Sequence, residues 1–232
     1  LEALEEASGR DNLQGWAKAW LETTGPSTLR IRRGEDGFIL EQDSMDAITG
    51  QEALRPHRVN VGFYELTGDN FVRVGIEKVT LTGSSLPLET AGNYDLVLAN
   101  DDDLTYALVE LDENEVTTAL RFVSTIANPT SRAVLWSALW AGVRAAKINP
   151  RDYVNAVASQ VPFEEDDAVA GDLIGNALEA LLHYMATPER KLEANSFANH
   201  AINAIGRSDA EDRKREWALA ATRALNIAGS PG

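Results

Sequence analysis

Histidines and clustered carboxylates are the residues of this 232-residue chain whose types could do chemistry. None of the three histidines, His57, His183 and His200, begins an H-E-x-x-H pair, the spacing that places two imidazoles on one helix face to bind zinc. Glu179 and His183 lie four residues apart and could ligate a metal weakly, but His183 lies in the apolar run LLHYM. We therefore expect His183 to be a packed, hydrogen-bonded histidine.

The densest carboxylate cluster is Asp101, Asp102 and Asp103. Calcium favours such oxygens, but its loops space the ligands around a glycine turn, so we expect a solvated turn between two strands. A second acidic run, residues 164–167, falls in the predicted first turn of a helix, where carboxylates complement the helix dipole. The chain contains no G-x-S-x-G, P-loop or G-x-G-x-x-G motif. We predict no catalytic residue and no metal ligand within it.

Charge and composition exclude several classes of partner. The net charge is −15, and the basic runs at residues 30–33 and 213–215 are compensated by nearby acids, so we expect no nucleic acid and no membrane as partners. The chain has no cysteine, which fits a reducing, cytoplasmic location. No apolar run reaches the roughly 20 residues of a membrane span. Residues 1–10 lack the pattern of a signal peptide, and we expect a fragment of a longer protein.

The elements that would position these residues change in type along the chain. Residues 11–23 are typical of a short amphipathic helix that ends at Gly25-Pro26, with Trp16 and Trp20 four residues apart on one face. A helix of this length cannot bury two tryptophans alone. We therefore predict that the helix packs on the following domain or on protein beyond this sequence, and Trp16 and Trp20 are the candidate contacts.

Residues 28–111 follow a period of two, which is typical of strands with one buried face. The alternation of residues 59–63 and 72–76 predicts that Val72, Val74 and Ile76 are buried. The apolar parity then switches, which suggests a bulge or a strand that changes sheet near Glu77-Lys78. About seven short strands separated by turn residues predict a small β-sandwich.

After residue 111 the pattern predicts consecutive helices. Asp112, Asn128-Pro129 and Asn149-Pro150 begin the first three, and residues 164–185 form the next. Short loops predict an antiparallel helical array. The charge divides at the same place, because residues 1–112 carry 9 Lys/Arg and 21 Asp/Glu whereas residues 113–232 carry 12 and 15. The predicted fold class is β followed by α, in domains 1–26, 27–111 and 112–232, with a hinge near Asp112.

Four segments in this order resemble the C-terminal half of the bacterial aminopeptidase N family, which are zinc metallopeptidases of the thermolysin-like clan. They are residues 8–25 (SGRDNLQGWAKAWLETTG), 54–66 (LRPHRVNVGFYEL), 96–113 (LVLANDDDLTYALVELDE) and 132–154 (RAVLWSALWAGVRAAKINPRDYV). The resemblance implies that residues 1–26 are the tail helix of a catalytic domain, followed by the β-sandwich and the beginning of an α-superhelical domain.

The resemblance also implies a function for the parent protein. The family's H-E-x-x-H and G-x-M-E-N motifs have no match here, so no catalytic residue carries over and zinc would be bound in the parent enzyme only. The implied reaction is removal of N-terminal residues from peptides. The implied partners are the catalytic domain of the same chain and its peptide substrates, and the fragment would form a wall that gates the cleft. The rival hypothesis is a stand-alone adaptor that binds proteins through the same two domains.

Overall fold

A computed structural model describes residues 5–7, 9, 13–34 and 37–229 of the chain. The chain divides into two compact units. The first, called here the β unit, comprises Leu1–Leu66 and Val72–Glu115. The second, the helical unit, comprises Thr67–Phe71 and Val116–Gly232. A β domain followed by a helical domain is therefore the architecture, as the sequence predicts. The predicted domain boundaries at residues 26 and 112 stay predictions.

In the β unit, helix α1 is followed by seven strands among the described residues. Helix α1 ends at Leu21, two residues before the predicted end at residue 23, and Asp11, where the predicted helix begins, lies outside the described residues. The elements are α1 (Leu13–Leu21), β1 (Ser27–Arg33), β2 (Phe38–Asp43), β3 (His57–Thr67), β4 (Asn70–Leu81), β5 (Ser85–Pro87), β6 (Leu96–Asp101) and β7 (Ala107–Glu110).

The strands form two sheets that share a core. One sheet has the order β5-β2-β1-β7, with β1 antiparallel to β2 and parallel to β7, and the other has the order β4-β3-β6. Phe38 of the first sheet and Phe63 of the second lie with ring centroids 5.9 Å apart, and Leu29, Leu40 and Leu98 are fully buried. Burial of these side chains is the main force that holds the sheets together.

Strand β4 departs from the sequence prediction. Val72, Val74 and Ile76 are exposed, whereas Leu81 on the opposite parity is buried. Alternation identifies two faces of a strand but does not say which is covered, and β4 lies at the edge of its sheet. Strand β4 runs from Asn70 to Leu81 within the sheet β4-β3-β6, so it does not change sheet near Glu77-Lys78, and a bulge there stays a prediction. A register shift lies between Asn60 and Gly62, where β3 pairs with β6.

The α-helices that follow the strands lie in the helical unit, except that the first of them begins three residues before the division between the units. They are α2 (Glu113–Phe122), α3 (Pro129–Arg144), α4 (Pro150–Gln160), α5 (Asp167–Glu179), α6 (Thr187–Arg207) and α7 (Glu211–Gly229). The predicted caps of α3 and α4 are confirmed, because the Asn128 side chain accepts from the amides of Thr130 and Ser131 and the Asn149 side chain from that of Arg151. In both helices proline occupies the first position, where its missing N–H costs nothing.

The predicted helix 164–185 begins too early by three residues, whereas helical turns continue to Tyr184, within one residue of its predicted end. Asp166 is the cap of α5, and beyond Glu179 the chain forms a π-helical turn over Ala180–Tyr184. Glu164 is not a first-turn carboxylate. Its buried side chain instead receives two 2.7 Å hydrogen bonds from the buried Arg132 of α3. No helix in the described part of the chain is long and apolar enough to cross a membrane.

Candidate functional site

The histidines lie in different environments and do not form a metal site. Within residues 5–7, 9, 13–34 and 37–229, no three His, Asp or Glu side chains are grouped to hold a metal ion. His57 is buried with Nδ1 2.9 Å from the Thr105 hydroxyl, and burial together with the charge of Arg55 lowers its pKa to about 4. His200 is exposed, with Nδ1 3.0 Å from the Ser196 carbonyl.

The prediction that His183 is packed is wrong. Its side chain is exposed, as are Leu182 and Tyr184 beside it. Leu181 and Met185 are buried, and a regular helical period already places residue 183 about 200° around the helix from Leu181, on the opposite face. The apolar neighbours of His183 in the sequence suggested burial, whereas the four-residue spacing of the buried positions indicates that it is exposed.

The aspartate cluster is not a solvated turn throughout. Asp101 is fully buried and accepts 2.8 Å hydrogen bonds from the Tyr64 hydroxyl and from Arg73 Nη1. Asn100, Asp102 and Asp103 have φ values of 55°, 68° and 52°, in the left-handed region that Asn and Asp tolerate best among non-glycine residues. The positive charge of Arg73 neutralises the carboxylate of Asp101. Backbone conformation and this ion pair therefore explain the run of acidic residues without a metal ion.

The structure gives the two tryptophans of α1 different environments. Trp20 is partly buried, its ring meeting His57 edge-to-face at 5.2 Å and lying 5.7 Å from the Arg55 guanidinium. Trp16 is 45% exposed. Of the pair that the sequence analysis singled out, Trp16 is therefore the residue available to a partner, and whether either tryptophan contacts another domain stays a prediction.

Arg55 connects α1 to the strands by hydrogen bonds. No pattern in the sequence identified this residue. It is 2% exposed. Its guanidinium donates to the Ala19 carbonyl (3.1 Å), to the Thr23 hydroxyl (2.6 Å) and to the Ser44 hydroxyl (2.8 Å). A buried arginine persists only when its donors are satisfied. Arg55 thus links the helix to the strands of this unit. Its partners are 11 to 36 residues away along the sequence.

Asp112, the predicted hinge, caps helix α2. Its Oδ1 accepts from the amides of Asn114 (2.8 Å) and Glu115 (2.9 Å). Glu115 completes a capping box with a 3.5 Å contact to the Asp112 amide, and its Oε1 also accepts from Val97 in β6 at 2.9 Å. The division between the two units falls directly after Glu115. Movement about this point is not tested by the geometry, so the hinge stays a prediction.

The carboxylate of Glu115 is electrostatically unusual. Arg33 Nη2 lies 3.5 Å from it, and the neighbouring Asp112 carries a like charge. Burial is the largest influence and raises the pKa of Glu115 to about 7. The D-x-x-E spacing of residues 112–115 was the sequence signal for this pair, although it says nothing about burial.

Within the helical unit, α2 and α4 line an open cleft of about 780 Å³. Thr117 and Arg121 lie on one wall, and Asp152, Asn155 and Ser159 lie on the other, at the three- and four-residue spacing that places side chains on one helix face. The cleft offers hydroxyl, amide and charged groups to a polar ligand. Its lining contains no nucleophile paired with a base.

Comparisons with known proteins agree on one family. Residues 96–232 match the family model of the ERAP1-like C-terminal domain. Over 234 residues the chain is 33% identical to the aminopeptidase N of Streptomyces lividans, which covers 95% of this chain and 27% of that protein. A crystal structure of Legionella pneumophila aminopeptidase A in complex with aspartic acid superposes with a TM-score of 0.56 at 13% identity, over 98% of this chain and 30% of that one. The second likeness shows the fold alone. The chain spans less than a third of the length of either protein.

Proposed function

Because the chain belongs to the ERAP1-like C-terminal domain family, we propose that it is the non-catalytic part of a zinc-dependent aminopeptidase that removes N-terminal residues from peptides. The observation that carries this proposal is the 33% identity to an aminopeptidase N, which extends over 95% of the chain but only 27% of the relative. The 232 residues also contain no H-E-x-x-H sequence, so the zinc would be held elsewhere in the parent protein.

The proposed role of the chain is to shape and gate access to that catalytic site. The corresponding architecture is a β-sandwich followed by an α-superhelix, with the catalytic domain of the same chain as partner. Ring contacts between the two sheets and the short connections between helices support it. Gating would use a hinge near Asp112, and a cytoplasmic location fits the absence of cysteine.

Activity measurements test the first part of the proposal. The parent protein, expressed from its full reading frame, is expected to hydrolyse an aminoacyl chromogenic amide, to lose activity with a chelator and to regain it with zinc. The 232-residue chain alone is expected to be inactive under the same conditions. Chelator-resistant activity would contradict the proposed zinc dependence, and a parent without peptidase activity that instead captures partner proteins would favour the adaptor hypothesis.

The gating role needs a separate measurement. In the parent protein, a single disulfide or crosslink that fixes the helical unit should change kcat/KM for long peptides while leaving that for an aminoacyl amide nearly the same. A small substrate needs little opening of the cleft, whereas a long one needs more. Equal effects on both substrates would contradict gating.

A further inference from the structure

The open cleft between α2 and α4 of the helical unit contains charges of opposite sign that do not pair with each other. Arg121 lies on the α2 wall and Asp152 lies on the α4 wall. Within the described part of the chain, neither side chain forms an ion pair or a hydrogen bond. A guanidinium has only donors and a carboxylate has only acceptors. The cleft therefore offers separate positions for an anionic and a cationic group of one ligand.

Buried hydrogen bonds hold the two walls of this cleft together. Gln160, at the end of α4, is 7% exposed. Its Nε2 donates to the Leu120 carbonyl of α2 at 2.6 Å, and its Oε1 accepts from the Ser124 amide at 3.0 Å. One side chain thus connects α4 both to α2 and to the turn that follows α2. A cleft whose walls are already joined needs little further ordering when a ligand binds, so less of the binding free energy is lost.

Aromatic packing positions the Arg121 guanidinium. Its central carbon lies 4.8 Å from the centroid of the Phe122 ring, which also lines the cleft. Phe122 in turn meets Phe71 edge-to-face with centroids 6.3 Å apart, and Phe71 is 4% exposed. An arginine that lies over a ring keeps the N–H groups at its edge free, and their planar arrangement matches the two oxygens of a carboxylate. Arg121 is thus suited to bind a carboxylate of a ligand.

The remaining lining favours a ligand with a free ammonium group and an apolar side chain. Asp69 adds a second carboxylate to the lining, so its negative charges outnumber its guanidinium. This excess attracts a cation and disfavours a ligand whose only charge is a carboxylate. Leu120 and Ala156 supply apolar surface, and Thr117 and Asn155 supply a hydroxyl and an amide.

We propose that the cleft binds a free α-amino acid, with its carboxylate on Arg121, its ammonium group on Asp152 and an apolar side chain against Leu120. An α-amino acid has these three groups on one carbon, and each finds its complement on a different part of the lining. The choice of this class of zwitterion rests on the proposed function, because removal of N-terminal residues from peptides releases free amino acids. The cleft would then bind a product of the parent enzyme.

An NMR titration of the 232-residue chain with L-leucine tests the proposal. The chain contains no H-E-x-x-H sequence, so that motif contributes nothing to the binding measured. We expect saturable shifts of the backbone amides of Thr117, Arg121 and Asn155, with a dissociation constant on the order of 1 mM, because a small ligand in an open cleft buries little surface.

Two analogues of L-leucine separate the contributions of its charges. N-acetyl-L-leucine lacks the ammonium group, and L-leucinamide lacks the carboxylate. Each analogue should bind about tenfold or more weakly than L-leucine, because it loses a hydrogen bond between charged groups. With Arg121→Gln, L-leucine and L-leucinamide should bind alike, since the group that distinguishes them is gone.

Matched variants identify the binding site. Arg121→Gln and Asp152→Asn should each weaken the binding of L-leucine by about tenfold or more. Both residues are exposed, so the variants should keep the thermal unfolding midpoint of the wild type. The controls are Arg144→Gln and Asp172→Asn, at exposed positions of the helical unit outside the cleft, and they should bind L-leucine as the wild type does.

Each other result overturns the proposal. Absence of saturable shifts up to about 20 mM L-leucine would mean that the cleft does not bind the amino acid, and shifts confined to other residues would mean that another site does. Equal binding of L-leucine and either analogue would show that the missing charge is not recognised. Each result can be obtained whether or not the parent protein is a zinc-dependent aminopeptidase, so failure of this inference is distinct from failure of the proposed function.

Discussion

Glu115 has 3% of its surface exposed, and its ordinary pKa of 4.5 is raised to about 7 by burial. A carboxyl whose pKa is higher in the folded state binds its proton more tightly there than in the unfolded chain. Between about pH 4.5 and pH 7 the folded state therefore holds more protons, and the free energy of unfolding falls as the pH rises. Below that range both states are protonated and the effect is constant.

Glu115→Gln should remove this pH dependence. The amide oxygen can still accept from the Val97 amide, but no charge needs to be buried. We expect the variant to be more stable than the wild type above pH 7, by on the order of 2 kcal/mol, and about equal below pH 4.5. Urea unfolding at several pH values measures the difference, and Glu113→Gln on the exposed side of the same turn is the control. A variant that is less stable at every pH would show that the contact with Arg33 outweighs burial.

Single residues also show where sequence reasoning ends. Why positions 100, 102 and 103 hold asparagine and aspartate could be explained only after the left-handed backbone of Asn100, Asp102 and Asp103 was known. Arg55 and Arg73 gave no signal, because their partners are distant in sequence and the chain contains many similar arginines. The absence of a zinc-binding motif, in contrast, was readable directly, since that motif is local.

At the scale of elements, features that depend on residues close together in the sequence were predicted well. Features that depend on tertiary packing were predicted poorly. The asparagine-proline pairs that begin α3 and α4 act within one helical turn, and the structure confirms both caps. The exposed face of β4 depends on which strands cover it. This dependence is not present in the spacing of apolar residues along one segment.

The cap of α2 gives a prediction at this scale. Asp112→Ala removes the oxygen that accepts from the Asn114 and Glu115 amides, and should lower the free energy of unfolding by about 1 kcal/mol. Asp112→Asn keeps an acceptor and should lose only a fraction of that. Thermal unfolding of the two variants provides the comparison. Equal losses would mean that the charge of Asp112, which lies 3.8 Å from Arg33, matters more than the cap.

Strand β4 gives a second prediction. Val74→Thr should change the free energy of unfolding by less than about 0.5 kcal/mol, because Val74 is 49% exposed and threonine keeps the β-branched shape. Leu81→Ala should cost about 2–5 kcal/mol, because Leu81 is 1% exposed and its loss leaves a cavity. Guanidinium unfolding of both variants checks the assignment of the two faces. A large loss for Val74→Thr would support the burial that the sequence suggested.

At the scale of the whole molecule, the acidic charge is concentrated in the first half of the chain. An acidic surface near a cleft that receives a cationic peptide terminus would speed association. We expect Asp43→Asn with Glu65→Gln to lower kcat/KM of the parent about twofold at low salt and not at high salt, because ions screen such attraction. The control replaces Asp172 and Glu189 of the helical unit in the same way. Stopped-flow or steady-state kinetics over a salt series provides the measurement, and an unchanged salt dependence would contradict steering.

The attachment of α1 by Arg55 determines where this part of the protein can be cut. A chain excised at residue 27 would keep the Ser44 hydroxyl but remove Ala19, Thr23 and Thr24, so the Arg55 guanidinium would lose three of its acceptors. Such a polypeptide should aggregate or fold poorly even though all of its strands are intact. We therefore expect the smallest part of the β unit that folds alone to include α1.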